Sequence, residues 1–245
     1  MREGDVSVAL PVLARWTVGV PLAALVTCLM LSVGVDFEKA TYTHCEVPQF
    51  APSISSVIGG FSPQTYIWKI AIALSSAPGF LFARLYHRFY RERLTLGPNT
   101  HKLVSLNFLL NTLENLSLVG LSFVPSDDIF VVHEVFFITF LMTSMLSQLL
   151  TSFYFHTRCG FQPRSQAESL ALHHKRLLAK ITLGAAAMAL YFYWRHNEYC
   201  EPYVYSFFGL CEYCIVVCNI LYHGLISYDL SDHSIRTGPD LVLLK

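Results

Sequence analysis

The stretch 104-VSLNFLLNTLENLSLVGLSFV-124 decides how this chain is read. It is long and apolar enough to cross a membrane, because an apolar run of about 20 residues spans the hydrocarbon core. Yet it carries Asn107, Asn111, Glu114 and Asn115. Their spacing places them on one face of a helix. A polar face inside an apolar run belongs to a helix that turns it toward other helices or a cavity.

The rest of the chain supports a membrane setting. Of 245 residues, 53% are hydrophobic and 14% charged, against about 25% charged in soluble domains. Mean hydropathy is +0.45. Net charge is zero, so no bulk field favours nucleic acid. The sequence has no zinc-finger spacing, phosphate-binding loop or dinucleotide fingerprint. Six apolar runs, at about 16–35, 65–86, 104–124, 130–154, 178–195 and 203–227, predict an all-α, single-domain bundle of six spanning helices over residues 1–245. Pro78 and Gly79 interrupt the second run. The first is longer than a signal-peptide core and lacks a small-residue cleavage site, so it reads as an uncleaved anchor.

Fourteen of the seventeen Lys and Arg residues fall in the two termini and the loops on their side, from Arg2 and Arg15 through Arg84–Lys102 and Arg158–Lys180 to Arg236 and Lys245. Lys39, Lys69 and Arg195 fall opposite. The positive-inside rule therefore predicts cytosolic termini. Segments 36–64, 125–129 and 196–202 then face the lumen. Of seven cysteines only Cys45 and Cys200 fall there, which makes them disulfide candidates, although spacing cannot establish the geometry. Cys211, Cys214 and Cys218 lie within an apolar run and read as small packing residues, not metal ligands. Asn115-Leu116-Ser117 matches a glycosylation sequon but lies mid-membrane, so no N-glycan is expected.

Several polar residues are candidates for chemistry. Glu212, Asn219 and His223 share one face of the last run, and a close Glu114–Glu212 pair would share a proton. At the luminal side His44, His133, Glu134, Arg195, His196 and Glu201 are positioned to meet, with His133 or His196 as general base and Arg195 as a phosphate ligand. The plainer reading makes the asparagines interhelical hydrogen-bond donors and the luminal residues an interfacial belt with Trp194 and Tyr199. Ser53, Ser55 and Ser56 precede Gly59-Gly60. Without a Gly-x-Ser-x-Gly elbow, they read as a re-entrant or interfacial loop whose serines satisfy backbone groups.

Four stretches carry a family resemblance: 43-THCEVPQFAPSISSVIGG-60, 105-SLNFLLNTLENLSL-118, 133-HEVFF-137 and 195-RHNEYCEPYVYSFFGLCEY-213. Together they resemble the post-GPI-attachment-to-proteins factor 2 family, related to the DRAM and suppressor-of-four-kinase membrane proteins, from about residue 40 to 229. The resemblance implies a multi-pass Golgi protein, with the endoplasmic reticulum membrane as a second location. It implies GPI-anchor fatty-acid remodelling, in which lyso-GPI is reacylated at sn-2 with a saturated, typically stearoyl, chain. The protein would be the acyltransferase or an essential component. No H-x-x-x-x-D acyltransferase signature is present.

The working assignment makes His133, His196, Glu114 and Glu212 the catalytic group. Arg195, Asn111, Asn115 and Asn197 would bind lipid or phosphate, and Asn197 would also serve the oxyanion. No metal or cofactor is expected. Expected partners are membrane lipids, lyso-GPI-anchored proteins and an acyl donor, either a phospholipid or acyl-CoA. The rivals are a non-enzymatic lipid handler and a scaffold or trafficking factor. Intramembrane carboxylates alone also suit a transporter, but no matched pair of broken helices supports one.

Overall fold

The computed structural model describes residues 7–94, 98–125, 129–231, 234–236 and 242–244. Arg2, residues 126–128 and Lys245 lie outside the described residues. The helices are α1 (Leu10–Val35), α2 (Phe37–Ala40), α3 (Ile54–Gly59), α4 (Gln64–Arg93), α5 (Pro98–Phe123) and α6 (Phe130–Leu149). A π-helical turn, Leu150–Tyr154, continues α6 into α7 (Phe155–Arg158). Then come α8 (Gln166–Tyr199), α9 (Val204–Gly224) and α10 (Ile226–Asp229). Three short antiparallel strands, β1 (Ser7–Ala9), β2 (Ser234–Arg236) and β3 (Val242–Leu244), join the two ends of the chain, with Val8 opposite Ile235 and Ile235 opposite Leu243.

Five helical stretches are long and apolar enough to cross a membrane: Leu10–Val35, Gln64–Arg93, Phe130–Arg158, Gln166–Tyr199 and Val204–Asp229. The sixth predicted span is a 26-residue helix, α5, but it is not among those five. Its Asn107, Asn111, Glu114 and Asn115 dilute its hydropathy. Its other face is apolar: Leu106, Leu109, Leu113 and Leu116 are all exposed, a stripe at helical spacing. The helix is therefore polar inward and apolar outward, the reverse of a soluble amphipathic helix.

The second predicted run is not broken at Pro78, because α4 continues through it. Proline lacks the N–H its turn would use, and in the same turn Asn115 Nδ2 donates to Ser76 O at 2.8 Å. A Cβ on Gly79 would lie 2.9 Å from that amide, so the glycine allows α5 to approach.

The long helices form a ring, α1–α4–α5–α6–α8–α9, closed by contact between α9 and α1. With 34 residues, α8 is about 50 Å long, well beyond a hydrocarbon core of about 30 Å. Its first turns therefore extend past the core. There Arg93 at the end of α4 donates to both carboxylate oxygens of Glu168, at 2.9 and 2.8 Å. An aromatic cluster including Tyr86, Phe89, Tyr90, Phe155 and Phe161 fills this end of the ring. At the other end the 36–63 segment folds over the helix ends. Its α3 buries Ile54, Val57 and Ile58 against Cys28, Trp68 and Ile72. That apolar i, i+3, i+4 face seats the short helix and leaves Ser55 and Ser56 only partly buried.

Candidate functional site

The long first loop is pinned to α9 at three points. Ser206 Oγ accepts from the backbone N–H groups of Phe50 and Ala51, at 2.8 and 3.1 Å, and donates to Gln49 Oε1 at 2.9 Å. One turn on, Gly209 lies under Pro52, where an added Cβ would be 2.9 Å from the Pro52 carbonyl oxygen. One further turn on, Glu212 Oε2 accepts from Ile54 N–H at 3.1 Å. Residues 206, 209 and 212 repeat every three positions, so one face of α9 holds the backbone from Gln49 to Ile54. Cys45 and Cys200 form a disulfide, with a Cα–Cα distance of 5.3 Å. It fastens the start of the loop to the end of α8.

This cradle delivers Ser55 to His133. Ser53 caps α3, its Oγ accepting from Ser56 N–H. Ser55 Oγ lies 3.2 Å from His133 Nε2, and His133 Nδ1 lies 2.7 Å from Val124 O. A carbonyl oxygen only accepts, so Nδ1 carries the proton and Nε2 offers its lone pair to the Ser55 hydroxyl. His133 is buried, while neighbouring Ile129, Phe130, Val131 and Val132 expose apolar side chains. Ser55 was read from sequence as a backbone-satisfying loop serine. Its hydroxyl bonds an imidazole instead, and the 78 residues separating the two leave no local sequence signal of the pairing.

The other predicted residues divide into separate groups. Arg195 is committed: it donates to both oxygens of Glu201, at 2.6 and 2.8 Å, and to Tyr191 Oη at 2.6 Å. A phosphate would have to displace that carboxylate. The same guanidinium holds the Glu201 carboxyl below the usual carboxylate range. His196 is fully buried, with neither ring nitrogen hydrogen-bonded. It packs against Tyr205 and His44, with ring centroids 4.7 and 5.3 Å away, and touches no hydroxyl that it could deprotonate. Asn197 and His44 are exposed and Glu134 is half-buried. The candidates predicted to be luminal thus form three groups rather than one cluster: His133 with Ser55, His44 with His196 beside the disulfide, and Arg195 with Glu201.

Glu114 and Glu212 do not form the predicted proton-sharing pair, because each has its own partners. Glu114 Oε1 accepts from Asn219 Nδ2 at 2.7 Å and from His223 Nε2 at 2.8 Å. Asn219 also donates to Ser144 Oγ. Ser147 Oγ donates to Asn107 Oδ1 and accepts from Asn111 Nδ2, each at 3.0 Å. The polar face of α5 is thus joined by hydrogen bonds to α6 and α9. Asn111, Glu114, Asn115, Asn219 and His223 also line a cavity of about 110 Å3 bounded by α1, α4, α5, α6 and α9.

Residues 9–233 match the family model described as the Frag1/DRAM/Sfk1/Cwh43P N-terminal domain. The chain belongs to this family. Among curated relatives, it is similar to "Acyltransferase PGAP2" of Xenopus tropicalis, 36% identical over 88% of this chain and 85% of the relative. It is likewise similar to the protein of that name from Danio rerio, 39% identical over 77% of this chain and 81% of the relative. With "Post-GPI attachment to proteins factor 2" of Caenorhabditis elegans it shares 34% identity over 89% of this chain and 84% of the relative. No solved structure matches. The family match takes in both the α9 cradle and the Ser55–His133 contact.

Proposed function

We propose that this protein is a GPI-anchor lipid-remodelling acyltransferase of secretory-pathway membranes, placed in the Golgi. It would return a saturated chain, typically stearoyl, to the sn-2 hydroxyl of lyso-GPI. Relatives named for post-GPI attachment and acyl transfer support this reading. The observation that carries the chemistry is His133, with Nδ1 fixed on a backbone carbonyl and Nε2 presented to a hydroxyl. That is the state a general base needs. His133 is the fourth residue of α6, about 5 Å inside the helix start. With the start of α6 at the membrane interface, as this reading has it, His133 would lie at the depth of lipid esters.

In this reading α5 crosses as a sixth span, with its leucine stripe toward lipid, and both termini are cytosolic. The disulfide end of the ring lies in the lumen, an oxidising compartment, with the GPI lipid in the adjacent leaflet. A phospholipid donor in that leaflet reaches His133 directly, whereas cytosolic acyl-CoA would have to cross the bundle. The cavity beside Glu114 favours a second reading, in which the protein binds and presents lipid without reacting with it.

Purified protein in liposomes, given a synthetic lyso-GPI analogue and labelled stearoyl phospholipid or, separately, labelled stearoyl-CoA, tests this. Label should reach sn-2 from the phospholipid, and His133→Ala should lower the rate at least about a hundredfold. His196→Ala, where folded, should retain transfer. Transfer by His133→Ala at the wild-type rate would remove His133 as base. Absence of transfer by folded wild type from either donor would favour lipid presentation.

A further inference from the structure

We propose that Ser55 is the acyl-carrying nucleophile, so that the chain passes through a Ser55 ester between phospholipid donor and acceptor hydroxyl. This rests on the acyltransferase reading above. A serine becomes nucleophilic when a base accepts its proton and a third group fixes the base. All three parts are present: Ser55 Oγ is 3.2 Å from His133 Nε2, and Nδ1 is 2.7 Å from Val124 O. The backbone carbonyl takes the orienting role that a carboxylate fills in a Ser-His-Asp triad.

Ser75, Ser122 and Ser227 turn their hydroxyls back on carbonyls three or four residues earlier, whereas the Ser55 hydroxyl meets an imidazole of another helix, and capping of α3 is already supplied by Ser53. The Ser55 hydroxyl is committed to His133 alone among the described residues. Its position is fixed from behind by Ser206, Gly209 and Glu212, and nucleophiles perform best on such preorganised supports. Ser55 is only partly buried, and the exposed apolar residues Ile129–Val132 lie beside its base, where acyl chains would contact them.

The chemistry balances without any co-reactant. Ser55 Oγ attacks the ester carbonyl carbon of the donor phospholipid and its proton moves to His133 Nε2. The donor's acyl C–O bond breaks, and Nε2–H protonates the departing lysophospholipid oxygen. The acceptor hydroxyl then gives its proton to Nε2 and attacks the Ser55 ester. Ser55 Oγ leaves and recovers that proton. One ester is exchanged for another, and nothing is oxidised or reduced.

Full-length protein in liposomes with labelled stearoyl phospholipid, first without and then with the lyso-GPI analogue, tests the step. Intact-protein and peptide mass spectrometry should find a stearoyl adduct on the Ser55 peptide that disappears when acceptor is added. Ser55→Ala should lose the adduct and at least about a hundredfold of transfer, with its melting profile checking the fold. Ser55→Cys should accumulate a thioester that neutral hydroxylamine releases. Transfer by wild type with no adduct, retained in Ser55→Ala, would overturn the Ser55 role and leave the acyltransferase reading standing. Neither adduct nor transfer in folded wild type would overturn both.

Discussion

Glu212 separates two accounts of the buried carboxylates. Its only hydrogen bond among the described residues is accepted from Ile54 N–H, 3.1 Å away. The carboxylate therefore positions α3 and, one residue later, Ser55. Glu212→Gln keeps an sp2 oxygen in the same place. A neutral hydrogen bond of this kind contributes about 0.5–1.5 kcal/mol, so even its complete loss in the glutamine variant costs at most about 1.5 kcal/mol, roughly tenfold in the seated population of α3. Glu212→Leu leaves the Ile54 N–H buried without a partner, at about 1–3 kcal/mol, which allows up to about a hundredfold loss.

The assay is stearoyl transfer in liposomes, paired with hydrogen exchange across residues 49–58. Positioning predicts that the leucine variant loses more transfer than the glutamine variant, in step with faster exchange in the segment. A proton relay predicts that both variants are equally inactive, since an amide carries no exchangeable acid proton. Equal inactivity with unchanged exchange would refute the positioning argument.

Other consequences follow from the same contacts. Serine at both Cys45 and Cys200 removes a link spanning 155 residues and should cost about 2–5 kcal/mol, read as a lower melting temperature in detergent and a mobility change on non-reducing gels. Gly209→Ala forces a methyl against the Pro52 carbonyl and should cost about 1–3 kcal/mol, reducing transfer with unchanged membrane insertion. Because Arg195 depresses the Glu201 carboxyl, the stabilisation from that pair is complete above the ordinary carboxylate value of 4.5 and lost as pH falls through the lowered native value. Glu201→Gln should flatten that acid limb of a melting-temperature profile.

The fold was readable where lipid imposes a rule on single segments. Apolar length marked the spans, and cysteine placement nominated the pair that is bonded. The α5 face was visible as a spacing, but hydropathy alone undercounts such a helix, because the residues that hold it in the bundle are those that lower its score. The site was harder to read. Ser55 and His133 are 78 residues apart, and the 206–209–212 spacing on α9 is visible only as three small or polar letters. What they grip, the backbone from Gln49 to Ile54, has little side-chain signature because mostly its N–H groups are held. Arg195 misled for a related reason. A guanidinium near a membrane surface suggests phosphate, while its partner Glu201 lies past the helix end, outside any helical spacing rule.

The two carboxylates whose spacing suggests a proton-sharing pair belong to different parts of the bundle. Glu114 joins α5 to α9 through Asn219 and His223, and through Asn219 to α6. That seam holds together a ring whose outer face gains nothing from hydrophobic burial in lipid, where polar contacts and close packing must supply the association. Glu212 faces the opposite task, holding an irregular loop down on the ring so that a serine meets a histidine. A membrane bundle can therefore give two buried acids separate structural tasks. The Ser55–His133 contact is assembled where the loop, the end of α5 and the start of α6 converge.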